Sequence, residues 1–199
     1  MKNLIKVKNL HYAYPQGKKA LRGITIDIAQ GESVGLIGPN GAGKSTLLLH
    51  LNGILMANQG WVEVLNLRVE EKNLAQLRKK VAIVFQEPDH QLFMPTVFDD
   101  VAFGPLNAGK SQETVKEKVK SALQKVRMEE YEERCPHHLS FGEKKKIALA
   151  TVLSMDPEIL ILDEPSSNLD PRARRHLIEL LKSINLTKII SGHDLELIL

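Results

Sequence analysis

The sequence has only one cysteine, Cys135, among its 199 residues, and it has no apolar run long enough to cross a bilayer. A single cysteine excludes an internal disulfide framework and is compatible with a reducing cytosol. A membrane-spanning helix needs about 20 predominantly apolar residues, whereas runs such as 47–49 and 159–162 are far shorter. We therefore expect any association with a membrane to occur through a partner protein.

A strong excess of charge of one sign is also absent. The chain has 27 Lys and Arg against 24 Asp and Glu, a formal net charge of +3. Proteins that bind nucleic acid through electrostatics concentrate basic residues on one face, and the tight basic clusters here are only 144–146 and 172–175. Such clusters are typical of solvated helix faces, with phosphate or lipid contact as the alternative. We predict no nucleic-acid partner.

The order of apolar segments predicts a single domain over residues 1–199. A hydrophobic content of 43% suits one globular domain with a sizeable core. At the N-terminus, Leu4, Lys6 and Lys8 alternate with Ile5 and Val7, which indicates a strand rather than a signal peptide. Further strands are predicted at 24–28, 33–37, 60–64, 81–85, 158–162 and 188–190; several are apolar throughout, as strands buried on both faces should be.

Helices are predicted between these strands. Ser111 is a candidate N-cap before an amphipathic helix, and Pro171 after Asp170 is typical of the first turn of another. Alternating strands and helices favour an α/β layered fold with a mostly parallel core sheet. The region from about residue 91 to 124 is mostly helical and departs from this alternation. We predict that it belongs to a helical subdomain, about 91–150, inserted between two core strands.

Residues 38–46 match the phosphate-loop pattern G-x-x-x-x-G-K-[ST], with a predicted strand before them and a helical segment after them. Glycines let main-chain N–H groups approach phosphate oxygens, and a helix starting near Lys44 directs its positive end toward an anion. We expect Lys44 to reach the β- and γ-phosphates of ATP and the Ser45 hydroxyl to ligate Mg²⁺. The predicted nucleotide-binding residues of the loop are Gly38, Pro39, Asn40, Gly41, Ala42, Gly43, Lys44, Ser45 and Thr46.

Two carboxylates, Asp163 and Glu164, directly follow the apolar run 158–162. In α/β folds, ligands bind at the carboxyl ends of the parallel strands, and a strand here would deliver both acids to that edge. We predict that Asp163 holds Mg²⁺ through water and that Glu164 polarises the attacking water as general base. The alternative is a solvated pair of acids, which the preceding apolar strand and the phosphate loop disfavour.

The run Leu139-Ser140-Phe141-Gly142-Glu143 resembles the LSGGQ signature of the ABC ATPase family, and the resemblance extends over essentially the whole chain. Gln86 is similar to the family's Q-loop glutamine, 167–170 to its D-loop, His193 to its switch histidine, and Tyr14 to the aromatic residue that stacks on adenine. The resemblance thus implies a P-loop NTPase fold with an antiparallel N-terminal β part. The implied catalytic residues are Lys44, Gln86, Glu164 and His193, and the implied metal ligands are Ser45, Gln86 and Asp163.

Partners are also implied by this resemblance. ABC cassettes work as head-to-tail dimers, so Ser140 and Gly142 are expected to contact the γ-phosphate of ATP held by a second subunit, either another copy or a different cassette. Segment 86–105 is similar to that of cobalt/nickel and energy-coupling-factor importer ATPases, where it lies beside the membrane subunit. Core packing is the alternative for its apolar residues. The implied location is the cytoplasmic face of the cell membrane, bound to integral membrane subunits.

Two departures from the family pattern modify these expectations. Phe141 and Glu143 replace a glycine and a glutamine, adding bulk and negative charge near the expected γ-phosphate position, so we predict retained but slowed ATP hydrolysis. The chain also stops at Leu199, six residues after His193, whereas family members usually continue through further strands and a helix. We therefore expect the segment after His193 to be shorter than the corresponding segment of other family members.

Two alternatives to a transport ATPase belong to other functional classes. A soluble ABC protein acting on ribosomes or DNA usually carries two cassettes or a long coiled coil, and neither feature occurs in this sequence. A regulatory module that binds nucleotide without turnover would be expected to lack the base, but Glu164 and His193 are both present. The sequence therefore favours the transport ATPase.

Overall fold

The computed structural model describes residues 2–193, which form two compact units. The first unit contains residues 2–83, 158–163 and 186–193, and the second contains 84–157 and 164–185. Within the described residues, no helix is both long and apolar enough to span a bilayer.

The described residues of the first unit form eight strands and two α-helices. In chain order these are β1 (Asn3–Ala13), β2 (Lys19–Ala29), β3 (Ser33–Ile37), α1 (Lys44–Leu51), β4 (Gln59–Val64), β5 (Leu67–Arg68), α2 (Leu74–Leu77), β6 (Val81–Val84), β7 (Ile159–Leu162) and β8 (Thr187–Gly192). They make two four-stranded sheets, with orders β2-β1-β4-β5 and β3-β8-β7-β6.

The β2-β1-β4-β5 sheet is antiparallel throughout. Its first strand confirms the predicted N-terminal strand, and Ile5 and Val7 are buried as expected. Leu4 is buried as well, which corrects its predicted place on the same face as Lys6 and Lys8. A register shift between Asn3 and Ile5 accounts for this, because a bulge lets two successive side chains leave the alternation.

In the second sheet, β3 and β7 both pair with β8 in parallel. Every residue of β6 and β7 is buried, which explains their uninterrupted apolar sequence. The register places Ile37 opposite Gly192 and Leu162 opposite Ile190, so these strands end at one common edge. The predicted fold, a parallel core sheet with an N-terminal antiparallel sheet, is confirmed.

The second unit is helical, with α3 (Val97–Asn107), α4 (Gln112–Val126), α5 (Phe141–Leu153) and α6 (Pro171–Ser183). The predicted cap at Ser111 is confirmed, since its side chain accepts from Thr114 N, and α6 begins at Pro171 as predicted, where the Asp170 side chain also accepts from Arg172 N and Ala173 N. These bonds satisfy N–H groups that a helix start leaves without intrahelical partners.

One interpretation of the basic clusters is wrong. The sequence favours a solvated helix face for residues 144–146, but Lys145 is only 2% exposed. It lies on α5 three residues before Ala148 and four before Leu149, both buried, so helical spacing places it on the inner face. Lys144 lies outside the core and forms an ion pair with Asp89 at 2.7 Å.

Candidate functional site

The phosphate loop lies between β3 and α1, as predicted, and α1 begins at Lys44. Gly43 caps this helix with a φ of +94°. A Cβ on Gly43 would lie 2.6 Å from the carbonyl oxygen of Ala20, so both the backbone angle and the available space require glycine here. Gly41 also has a positive φ, +81°. The loop therefore has the backbone shape that exposes N–H groups to an anion.

Lys44 and His193 meet at the carboxyl edge of the parallel sheet. The Lys44 ammonium donates to the carbonyl oxygens of Gly38 at 2.8 Å and Pro39 at 3.4 Å, so it lies over its own loop. His193 follows β8 directly, and its Nε2 atom lies 3.4 Å from Lys44 Nζ and 3.2 Å from Asn40 Oδ1. Two predicted catalytic residues from distant parts of the sequence thus come together.

Asp163 lies at the end of β7, at the same edge, and is 8% exposed. Its Oδ1 atom accepts a hydrogen bond of 2.6 Å from the Ser191 hydroxyl on β8, the neighbouring strand. This bond fixes the orientation of the carboxylate. Asp163 is therefore a buried acid held in place at the edge where the phosphate loop begins.

Tyr14 is also in contact with the loop region. Its hydroxyl lies 3.0 Å from the Thr46 hydroxyl, and its ring packs edge-on against Tyr12 with centroids 5.1 Å apart. Tyr12 in turn packs edge-on against His50 of α1 at 4.7 Å. The first unit thus brings together Tyr14 and the loop; it also contains Ser45, Asp163 and His193.

The remaining predicted site residues, Gln86, Ser140, Gly142 and Glu164, belong to the second unit. Glu164 has a φ of +45°, unusual for a residue with a side chain. Its carbonyl oxygen accepts from the Ser167 hydroxyl at 2.7 Å and from Lys145 Nζ at 3.1 Å. Backbone strain of this kind is concentrated at functional sites, where surrounding contacts maintain it.

Ser140 is the N-cap of α5, and Glu143 completes a reciprocal capping box with it. The pKa of the Glu143 carboxyl is held below its usual value, chiefly by the hydrogen bond from the Ser140 side chain. The same carboxylate accepts from the Tyr131 hydroxyl at 2.8 Å and raises the pKa of that phenol. Gly142 faces Ala173, where an added Cβ would be at 3.4 Å.

The segment after Gln86 combines buried and exposed apolar residues. Leu92 and Val97 are buried, as core packing predicts, but Phe93 is 58% exposed. Its ring makes an edge contact with the ring of Phe103, which is also exposed, at 5.1 Å between centroids. Gln86 itself is exposed.

Several contacts that support the site were missed in the sequence. Asp100 is buried and accepts from the main-chain N–H groups of Phe93 and Met94 at 3.0 and 3.1 Å. Gln91 donates to the Ala148 carbonyl at 2.7 Å and so ties this segment to α5. The sequence indicates only one of these features in advance: the helical spacing of Lys145 from the buried apolar residues of α5 predicts that Lys145 is buried.

Residues 21–167 match the family model described as ABC transporter. The energy-coupling factor transporter ATP-binding protein EcfA of Methanosphaera stadtmanae is 50% identical over 203 residues, which cover 100% of this chain and 73% of that protein. The chain belongs to the ABC transporter family. It is an ABC ATPase, the ATP-hydrolysing subunit of a transporter, and cassettes of this family bind ATP.

Solved structures of ABC ATPases have the same fold. CbiO1 from Clostridium perfringens, part of the ABC transporter complex cbiONQ, is 40% identical with a TM-score of 0.86, over 98% of this chain and 80% of that chain. A dimeric ATP-binding cassette bound to ADP and Pi is 26% identical with a TM-score of 0.88, over 98% of this chain and 90% of that chain. The resemblance to ABC ATPases of the energy-coupling-factor and cobalt type is confirmed.

Proposed function

We propose that this ABC ATPase binds and hydrolyses MgATP to power solute uptake through a separate membrane subunit, as an importer cassette of the energy-coupling-factor or cobalt/nickel type. The main support for the proposal is the contact of His193 with Lys44 and Asn40 at the carboxyl edge of the parallel sheet. At the same edge, the Ser191 hydroxyl donates a hydrogen bond to Asp163. The similarity to EcfA and to CbiO1 supports the importer type.

The residues present fit a nucleotide with Mg²⁺. Gly41 and Gly43 hold the loop in the positive-φ conformation that exposes N–H groups to an anion, and Lys44 places its ammonium over the loop. Ser45 and Asp163 offer the oxygen ligands that Mg²⁺ prefers, and nucleotide and water would supply others. When bound, Mg²⁺ neutralises charge on the phosphates. Tyr14, whose hydroxyl already contacts Thr46, is the proposed partner of the adenine ring.

For hydrolysis, Glu164 is the proposed general base. It takes a proton from the water that attacks the γ-phosphorus, and the bond to the oxygen of the ADP leaving group breaks. Lys44 and His193 stabilise the negative charge on the transferred phosphoryl group. Gln86 is the proposed link between this chemistry and the membrane subunit, and a further Mg²⁺ ligand.

The proposed contact with the membrane subunit is the apolar surface formed by Phe93, Phe103 and Leu106. All three side chains are exposed, and the rings of the first two make an edge contact with each other. Exposed aromatic residues grouped in this way are typical of protein interfaces. The proposed location is accordingly the cytoplasmic face of the cell membrane.

The proposed catalytic form is a dimer of cassettes. A related cassette is dimeric in a post-hydrolysis state bound to ADP and Pi, and Ser140 and Gly142 at the start of α5 offer a hydroxyl and N–H groups suited to an anion. We propose that they contact the γ-phosphate of ATP held by the other subunit. Removal of that phosphate then opens the dimer.

The Glu164→Gln variant tests the catalytic assignment. Because the amide cannot accept a proton from water, we expect nucleotide binding to be retained while ATP turnover falls at least about a hundredfold. The ATP-bound dimer should accumulate, measured by sedimentation with ATP. Turnover within about twofold of the native rate would remove Glu164 from this role.

Purification of tagged protein from membranes tests the transporter assignment. We expect integral membrane subunits to copurify, and we expect Phe93→Ser with Phe103→Ser to release them while leaving ATP binding intact. Recovery of ribosomes or DNA without membrane subunits would favour the soluble alternative instead.

A further inference from the structure

A cavity of about 370 Å³ lies in the first unit, between the C-terminal end of α1 and the β4–β5 hairpin. Small-molecule sites have volumes of about 300–1,000 Å³ and are lined mostly by apolar side chains with a few polar groups. The apolar lining here comes from Leu55, Met56, Ala57, Val62 and Val69. The polar lining comes from His50, Arg68, Glu70 and Glu71. The cavity therefore has the size and composition of a ligand site.

His50 brings a buried acceptor to this cavity. Its Nδ1 bonds the Thr46 carbonyl at 2.7 Å, and because a carbonyl can only accept, Nδ1 carries the proton. Burial lowers the pKa of His50 below 6.5, against smaller opposing effects of the Thr46 and Met56 carbonyls, so the ring is neutral at neutral pH and Nε2 keeps its lone pair. Within residues 2–193, Nε2 is buried without a hydrogen-bond partner. Buried polar atoms are normally paired, so an unpaired one at a cavity indicates a ligand.

Arg68 adds a donor to the same cavity. Its guanidinium stacks on the Trp61 ring, with Cζ 3.4 Å from the ring centroid, and its Nε atom lies 3.8 Å from a carboxylate oxygen of Glu63. Its Nη1 atom is buried, and no described residue accepts a hydrogen bond from it. A guanidinium fixed in this way is suited to a carboxylate, which it can bind through two parallel hydrogen bonds.

The chemistry of the lining restricts the ligand. A carboxylate suits Arg68, whereas an ammonium group suits the lone pair of His50 and the exposed carboxylates of Glu70 and Glu71. An apolar body suits the remaining side chains. A ligand that carries all three features satisfies the whole lining, and a simple anion or a simple cation satisfies only part of it.

We propose that this cavity binds a small zwitterion of the α-amino-acid type with an apolar side chain, and that its occupancy regulates nucleotide binding. The binding site itself goes beyond the proposed function, and only the regulatory part rests on it. His50 provides the connection, because its ring also bonds the carbonyl of Thr46, whose hydroxyl lies 3.0 Å from that of Tyr14. A hydrogen bond at one end of such a chain polarises the others, so a ligand at Nε2 acts on the nucleotide-binding residues.

Binding is tested with L-leucine on the native protein in the absence of nucleotide. Trp61 is the only tryptophan of the chain, so its fluorescence reports on the cavity, and calorimetry gives the dissociation constant. We expect a saturable change in emission. 4-Methylpentanoate lacks the amine and 3-methylbutylamine lacks the carboxylate, so each should bind at least about tenfold more weakly. No saturable binding of leucine, or equal affinity for the three compounds, would overturn the proposal.

Two variants locate the ligand. Ala57→Phe fills the cavity from an exposed position while keeping His50 and Arg68, and Arg68→Met removes the donor. By calorimetry, each should weaken leucine binding at least about tenfold. Arg22→Met removes the same charge from an exposed position outside the cavity and is the matched control, which should bind leucine as the native protein does. Native affinity in Ala57→Phe would show that leucine binds elsewhere and would overturn the assignment.

The regulatory part is tested with a fluorescent ATP analogue. Saturating leucine should change its dissociation constant at least about threefold, and the analogue should change leucine affinity by the same factor, because coupling between two sites is reciprocal. Ala57→Phe should abolish the effect. Leucine binding without any change in analogue affinity would overturn the regulatory role. Failure of the analogue to bind at all would contradict the proposed function, whereas leucine binding, measured without nucleotide, is judged separately.

Discussion

The buried ammonium of Lys145 donates a hydrogen bond to the main-chain carbonyl of Glu164 across 3.1 Å. The Ser167 hydroxyl donates to the same oxygen at 2.7 Å. A buried cation is tolerated only where it has polar partners, and the positive φ of Glu164 persists only where contacts maintain it. The two donors therefore stabilise the turn that carries the proposed base.

We expect Lys145→Met to lower the kcat for ATP about tenfold while leaving the KM within about twofold. Methionine fills much of the lysine volume but removes the donor to Glu164, so the proposed base is less well oriented while nucleotide binding is retained. Steady-state ATPase assays of the assembled transporter measure both constants.

The matched control is Lys146→Met, which removes the neighbouring charge from a half-buried position on the same helix. It should leave kcat unchanged. A melting temperature that falls for Lys145→Met without any change in kcat would show a purely structural role and would contradict the prediction.

Much of the fold could be predicted because its signals are local. Strands β6 and β7 are buried at every position, so an uninterrupted apolar run marks each one. Caps such as Ser111 and Asp170 act on N–H groups within three residues, so their sequence context is sufficient. The phosphate loop is equally local, since its glycines and Lys44 all lie within residues 38–44.

Contacts between positions far apart in the sequence could not be predicted in the same way. Ser191 and Asp163 meet because β7 and β8 pair in one particular register, and periodicity does not reveal that register. The contact of Tyr131 with Glu143 depends on how the chain before α5 folds back. The roles of Gln86, Ser140, Gly142, Glu164 and His193 stay predictions, and Glu164→Gln tests that of Glu164 directly.

We expect Ser191→Ala to raise the Mg²⁺ concentration needed for half-maximal ATPase activity about tenfold. The Ser191 hydroxyl donates to Asp163 at 2.6 Å, and both side chains are buried, so its loss frees the carboxylate to rotate away from the metal. Mg²⁺ titrations at saturating ATP measure this concentration.

Ser183→Ala, which removes an exposed hydroxyl bonded to the Leu180 carbonyl, is the control. An unchanged Mg²⁺ requirement for Ser191→Ala would contradict the proposed role of Asp163.

We expect Asp100→Ala to lower the free energy of unfolding by about 2–3 kcal/mol, because it removes an acceptor for two main-chain N–H groups. One of these groups belongs to Phe93, so capture of the membrane subunit should weaken as well. Asp100→Asn keeps an oxygen acceptor and is the matched control, with a smaller loss of stability. Urea unfolding and copurification measure the two effects; equal losses for the two variants would contradict this explanation.

We expect His50 to make the protein less stable as the pH falls. His50 is 1% exposed, its Nδ1 donates to the Thr46 carbonyl at 2.7 Å, and burial lowers its pKa below the usual 6.5. The unfolded chain therefore binds a proton more readily than the folded chain does. The resulting stability is fully present above pH 6.5 and is lost as the pH falls through the folded pKa, by at most about 1.4 kcal/mol per pH unit.

Urea unfolding between about pH 7.5 and 5 measures how steeply the free energy of unfolding depends on pH. His50→Gln should flatten it and the exposed His176→Gln should not; equal slopes in all three proteins would contradict the prediction.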